Sequence, residues 1–228
     1  MKLKNTFVAI ILARGGSKGI KNKNLIKLKK KPLLYWSIKA CLKSKKINSV
    51  WVSSDSNKIL NFSKRVGAKI IKRPKQFASD HASSESAWLH GVKYLNKNKI
   101  KNNIILGIQP TSPIRFNKDL DNAIIKFERE KLDSLFSAQI INDYFVWKKK
   151  GNRLVPNYNY KKRQRRQNIQ DKYLENGSFF LFNSKKFLKI KCRLFGKIGL
   201  FKMKKTSSFQ IDDLEDLKII KSLEKYLI

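Results

Sequence analysis

Phe7-Val8-Ala9-Ile10-Ile11-Leu12, followed at once by Ala13-Arg14-Gly15-Gly16-Ser17-Lys18-Gly19, is the stretch that decides the fold. The first six residues are a continuous apolar run of strand length. Such a run is typical of a central parallel strand buried on both faces. Glycines and cations come directly after it. Glycine lets the backbone approach a ligand closely, and successive backbone N–H groups form an anion-binding nest. Arg14 and Lys18 add charge suited to phosphate. A Walker A loop needs two glycines with four residues between them, then Lys and Ser or Thr; that order is absent, as is G-x-G-x-x-G. A Gly-rich turn with solvated cations is the plainer alternative. A strand followed by Gly-Gly and cations is nevertheless a common arrangement at nucleotide sites.

Working outward, strand and helix signals alternate. Leu34, Ile38, Cys41 and Leu42 recur at helical spacing. Val50-Trp51-Val52 reads as a second strand ending at Ser53-Ser54-Asp55. A helix is expected from about Asn57 to Val66, closed by Gly67. Ala68 to Ile71 is a short third strand, and Ser84 to Leu95 a helix with Ser84 as a possible N-cap. Ile104 to Ile108 is a fourth buried strand, stopped by Pro110 and Pro113. From Ser134 the texture changes. Ser134 to Ile141 and Tyr144 to Lys148 read as strands joined through Asn142-Asp143, and Gly151-Asn152 marks a turn. Tyr158 to Lys172 is basic with little periodicity; Gly177 to Phe182 and Lys197 to Met203 read as strands. Leu214 to Leu227 is an amphipathic helix after Asp212-Asp213. This order implies βαβ units, a mostly parallel α/β sheet and a single domain over residues 1–228, interrupted by a projecting arm.

Across the 228 residues, 52 Lys plus Arg stand against 16 Asp plus Glu, a formal net charge of +36. With 41% hydrophobic residues this is no disordered basic tail. Such charge suggests nucleic acid. About four lysines accompany each arginine, however, and arginine is the usual base reader and bidentate phosphate clamp. Abundant Lys, Asn and Ile beside scarce Gly fit an AT-rich coding bias. Cys41 and Cys192 are too few and too scattered for a disulfide framework or a zinc site. His81 and His90 give no metal or triad pattern. No apolar run approaches membrane-spanning length, and no signal-peptide cleavage site follows the N-terminus. The expectation is a cytoplasmic protein with no membrane and no nucleic-acid partner.

Ala9 through Ile20, then Lys23-Asn24, resembles the nucleotide-binding signature of the acylneuraminate cytidylyltransferase (CMP-sialic acid synthetase) family. Further similar stretches follow in family order. They are Lys31-Pro32-Leu33, Val52 to Asp55, Arg73-Pro74, Ala78-Ser79-Asp80, Gln109-Pro110-Thr111-Ser112-Pro113, Arg165-Arg166-Gln167, Glu175-Asn176-Gly177-Ser178 and Ile211-Asp212. Together they cover nearly the whole chain.

The resemblance implies a Rossmann-like nucleotidyltransferase fold and a reaction. CTP and a nonulosonic (sialic-acid-like) sugar give the CMP-sugar and pyrophosphate, by in-line attack of the anomeric hydroxyl on the α-phosphorus. It implies Mg²⁺ as cofactor, a homodimer, and a dimerisation arm over about residues 140–170. Arg14, Ser17 and Lys23 match the triphosphate positions within the loop Leu12, Ala13, Arg14, Gly15, Gly16, with Asn24 on the cytidine side. Arg73 and Ser83 match further nucleotide positions. Gln109, Thr111, Ser112, Arg166, Gln167 and Asn176 match substrate positions. Asp212 matches the metal-binding aspartate; Gln210 stands where many members carry a second one. Arg14, Lys23 and Asp212 are the expected catalytic groups. No general base is implied.

Each residue also has a plainer reading. Lys23 is one lysine among many, in register only through its spacing from Gly19. Arg73 is a strand-end arginine before a proline, and Ser83 or Asp212 a helix cap. Lys161-Lys162-Arg163 with Arg165-Arg166 is the best nucleic-acid candidate. The acidic Gln-Gly-Asp-Glu-Pro of CMP-Kdo synthetases is absent at Gln109–Pro113, which favours the sialic-acid branch over Kdo.

Overall fold

The computed structural model describes residues 5–17, 19–141 and 145–227, with the Arg166 side chain also outside the description. In chain order the elements are β1 (Phe7–Leu12), β2 (Lys27–Leu28), β3 (Lys31–Pro32), α1 (Leu33–Leu42), β4 (Ser49–Ser54), α2 (Asn57–Arg65), β5 (Lys69–Lys72) and α3 (Ser84–Lys97). Then come β6 (Ile104–Ile108), α4 (Asn117–Arg129), β7 (Ser134–Ile141), β8 (Trp147–Lys150), β9 (Arg153–Pro156), β10 (Lys172–Asn183), α5 (Ser184–Ile190), β11 (Ile198–Lys202) and α6 (Leu214–Ser222).

Seven strands form one sheet in the order β11-β7-β10-β6-β1-β4-β5. β1 pairs in parallel with β4 and β6, β4 with β5, and β11 with β7. Only β10 runs against its neighbours, β6 and β7. The sheet is therefore mostly parallel, as expected.

The apolar run of β1 is explained by two cores. Phe7, Ala9 and Ile11 face Leu34 and Ile38 of α1, Ile59 of α2 and Leu120 and Ile124 of α4. Val8 and Ile10 face Trp88 and Val92 of α3 and Phe180, Phe182 and Phe187. With both faces covered, polar alternation has no place. A third cluster seats α6 through Ile220, against Leu28, Leu33, Trp36 and Ile211. Cys41 is a buried thiol, pushed up to about 12 by burial.

Several boundaries differ from the sequence reading. α4 and α5 were not anticipated, although Leu120, Ala123, Ile124 and Phe127 of α4 do recur at helical spacing. Ser83, not Ser84, caps α3, with its Oγ accepting from Ser86 N at 3.1 Å. The expected final helix stops at Ser222 and continues as a 3-10 turn, Glu224–Tyr226. β7 and β10 belong to the main sheet, so the projecting part is shorter than the texture change suggests. Of the strand expected at Tyr144–Lys148, Trp147 and Lys148 lie in β8, which runs to Lys150 and pairs with β9 across the turn at Gly151, while Asn142, Asp143 and Tyr144 lie outside the described residues. Among the described residues no helix is long and apolar enough to cross a membrane.

Candidate active site

Open α/β sheets bind ligands beyond the carboxyl ends of their strands, where the strand order reverses. Here the chain moves from β1 to β4 and β5 on one side, then returns to β6 on the other. The loops after β1, β5 and β6, with the segment before α6, enclose a cleft of about 560 Å³.

The loop after β1 is held by three backbone anchors. Ala13 N donates to Ser53 O at 3.0 Å, Gly15 N to Asp55 Oδ1 at 2.9 Å, and Asn24 Nδ2 to the Arg14 carbonyl at 2.9 Å. Asn24 is thus buried and shapes the loop, while still lining the cleft beside Leu12, Arg14, Ser17 and Lys23. Asp55 ties β4 to the loop. The sequence shows it only as part of a matched stretch, without a role; an acid directly after a buried strand is the available signal.

Two cations from this loop are already paired. Arg14 Nη1 donates to Asp80 Oδ1 at 2.7 Å and to Ser79 O at 3.2 Å. Lys23 Nζ donates to Ile211 O at 2.8 Å and to Asp212 Oδ1 at 3.0 Å. The Lys23 side chain is 14% exposed and that of Asp212 70%. Lys23 is therefore not a surface lysine. A close contact at Gly19 completes the clasp: a Cβ there would stand 2.2 Å from the Asp212 carbonyl oxygen. Only glycine admits that approach.

Arg73 ends up inside rather than on the surface, at 5% exposure. Its Nη2 donates to Ser53 O at 3.3 Å, and its buried Nε has no partner in the described structure. Burial pushes the guanidinium down to about 10; Asp55 opposes that shift and Arg14 adds to it. It stays cationic at neutral pH, on the cleft wall. An incoming anion would relieve part of that desolvation cost. Ser83 serves as a helix cap and also lines the cleft, so its two readings coexist. The N-terminus of α3 beside it adds a partial positive charge.

Gln109 and Thr111 also line the cleft, with Gln210 and Asp212. Ser112 and Asn176 lie beneath the surface. Ser112 Oγ donates to Asn176 O at 3.4 Å. Asn176 Oδ1 accepts from Ser137 Oγ at 2.6 Å and Ser178 N at 3.2 Å, and its Nδ2 donates to Ser208 Oγ at 3.3 Å. Both brace the floor. Gln167 is exposed on a 3-10 turn of the arm and is not among the cleft-lining residues of this chain.

Among the described residues no three His, Cys, Asp or Glu side chains cluster as a metal site. Two exposed carboxylates line the cleft, Asp80 beside Arg14 and Asp212 beside Lys23. Asp212, the more exposed, suits a hard cation that takes its other ligands from phosphate oxygens and water. The donor set fits Mg²⁺ on those terms.

A parallel sheet with a cationic cleft at its switch point places the chain among nucleotide-binding α/β proteins. The comparisons narrow this. The cytidylyltransferase family model matches residues 8–227, and the chain belongs to that family. It is 36% identical over 209 residues to N-acylneuraminate cytidylyltransferase A of Danio rerio, covering 90% of this chain and 47% of that protein. The pseudaminic acid cytidylyltransferase of Campylobacter jejuni is 28% identical over 225 residues, 96% of each chain. The structure of CMP:2-keto-3-deoxy-manno-octonic acid synthetase complexed with CTP superposes with a TM-score of 0.71 at 15% identity, over 98% of this chain and 100% of that one, which speaks for the fold. The chain spans about half the length of the fish relatives it matches.

Proposed function

We propose that the chain transfers the cytidylyl group of CTP to the anomeric hydroxyl of a nonulosonic acid, releasing pyrophosphate. The observation that carries this is the lining of the cleft. It brings the cations Arg14, Lys23 and Arg73 together with the neutral amides and hydroxyl of Gln109, Gln210 and Thr111. Cations suit a triphosphate; amides and hydroxyls suit a polyhydroxylated acid. The names carried by the Danio and Campylobacter relatives support the same reading.

In the reaction a bond forms between the sugar oxygen and the α-phosphorus, and the bond from that phosphorus to the bridging β-oxygen breaks. The hydroxyl proton passes to water. Such chemistry depends on alignment and on charge stabilisation. Arg14 and Arg73 hold the phosphates, and Lys23 exchanges its Asp212 contact for phosphate oxygens. Asp212 would hold Mg²⁺ together with the triphosphate, and the ion would neutralise charge on the leaving pyrophosphate. Arg166 and Gln167, on the arm, are proposed to reach the cleft of a second copy. Exposed Trp147, Leu154, Val155 and Tyr160 on that arm supply apolar surface for a homodimer.

The test is pyrophosphate release from CTP and Mg²⁺ with a panel of N-acetylneuraminic, legionaminic, pseudaminic and Kdo acids. Turnover with one of the first three is expected. Preference for Kdo would move the chain to the other branch, and silence across the panel would overturn the reading.

A further inference from the structure

Arg115 lies just before α4 and is 4% exposed. Among the described residues its hydrogen bonds go to hydroxyls and carbonyls, not to a carboxylate. Nε donates to Ser178 Oγ at 2.9 Å, Nη1 to Ser37 Oγ at 3.1 Å, and Nη2 to both Gln109 O (3.0 Å) and Ser178 O. Burying a guanidinium without an ion-pair partner is costly, and apolar side chains fill such space more cheaply. What it supplies is a rigid fork bonding in three directions, from α1 to the end of β6 to β10.

That junction is where the sheet loosens beneath the cleft. The β6–β10 ladder ends at Ile108–Phe179, and Gln109 N reaches Ser178 O only at 3.4 Å. The β10–β7 register shifts between Glu175 and Phe180, and Gly177 is left-handed at φ +60°. A Cβ on Gly177 would stand 3.0 Å from Gln109 Oε1 and 3.1 Å from Gln210 Nε2. Two cleft-lining amides therefore converge on the bulge that Arg115 holds.

We propose that Arg115 is a positioning residue: through Gln109 O and Ser178 it fixes the bulge at Gly177 and so the sugar-facing amides of the cleft. This rests on the cytidylyltransferase reading given above. A lysine keeps the charge, but its single nitrogen cannot reach four acceptors spread over three segments of the chain. Arg115→Lys should therefore raise the sugar KM and lower kcat, each by about tenfold, and leave the CTP KM within about twofold. Gln109→Ala should have the same signature, and the double variant should be no worse than the more damaging single change. Ser178→Ala, which removes one acceptor and leaves the guanidinium, should raise the sugar KM about threefold if Arg115→Lys does not fold. The probe sugar is whichever panel acid the wild type turns over fastest. Additive effects, or a lowered Tm with both KM values unchanged, would overturn the proposal. Hydrogen exchange in peptides over 107–112 and 174–180 judges it independently of turnover. Exchange there should quicken in Ser178→Ala and Arg115→Lys, and unchanged exchange would overturn it. A wild type inert on the whole panel would defeat the functional reading alone, since exchange would still report whether Arg115 holds the floor.

Discussion

Lys23 and Asp212 hold each other at 3.0 Å across 189 residues of chain, in a cleft where one is nearly buried and the other is not. Each ligand that arrives there must replace a contact already made. Lys23→Ala and Asp212→Asn should each cut turnover by about two orders of magnitude, roughly 2.7 kcal/mol, read from pyrophosphate release at saturating substrates. Rates near wild type in both would remove them from the site. Gly19→Ala tests the same clasp by intrusion. Its Cβ has no room beside the Asp212 carbonyl, so both activity and melting temperature should fall. His90 gives a pH test. Its imidazole packs against Phe77 with its Nδ1 buried, and burial, then the charge of Arg73, hold its pKa below 6.5. The unfolded chain therefore takes up its proton first. Stability from this group is complete above about pH 6.5 and is lost as pH falls toward the lowered value. Urea melts at pH 5.5 and 7.5 should differ less in His90→Gln than in the wild type. At this scale the sequence was partly legible. Spacing from Gly19 picked out Lys23, while the roles of Asp55 and Arg115 depend on contacts between loops that no linear spacing encodes.

At the scale of elements, the strands were the easiest to read. β1 and β6 match the expected ranges because a run buried on both faces has one reading. α4 and α5 are harder to read, since charged residues fill the turns between their buried positions and α5 has only seven residues. Helix ends show a further effect of composition. α2 closes on Gly67 at φ +100°, but the left-handed residues after α3, α4 and α5 are Lys99 (φ +56°), Lys131 (φ +50°) and Lys191 (φ +58°). A side chain there costs about 1–2 kcal/mol. The positive charge at a helix C-terminus returns a fraction of it. Replacing Lys131 by Gly should stabilise the fold by about 0.5–1 kcal/mol, and replacing all three should raise Tm by several degrees in calorimetry, on the order of 2–4 °C per kcal/mol. No gain in any single variant would mean that the lysines make compensating contacts.

For the whole molecule the dominant quantity is the charge of +36. The sequence points to Arg14, Lys23, Arg73 and Arg166 as the cations at anion sites. The structure sets Arg14, Lys23 and Arg73 on the cleft and adds Arg115 beneath it, with most lysines dispersed over exposed faces. A net charge this large repels itself and attracts anions. Raising NaCl from 20 mM to about 300 mM should therefore raise Tm while lowering kcat/KM for CTP, because screening weakens both effects. If both moved in the same direction, the charge would not be acting through long-range fields. The overall architecture was legible early because alternating apolar strands and amphipathic helices admit few topologies. The place of β10 was not, since pairing between distant strands leaves no local mark.

That place has a consequence during synthesis. β10 sits between β6 and β7, and it emerges from the ribosome after both. Until residues 172–183 are made, β1, β4, β5 and β6 can assemble only with the β6 edge open, and β7 has no strand to join. An apolar edge of Ile104, Ile105, Leu106 and Ile108 then waits unpaired while more than 60 residues are translated. Open edges of this kind invite intermolecular pairing. The nascent chain should be most prone to aggregate between the completion of β6 and the arrival of β10, and chains truncated just before Lys172 should be far less soluble than those ending after Asn183.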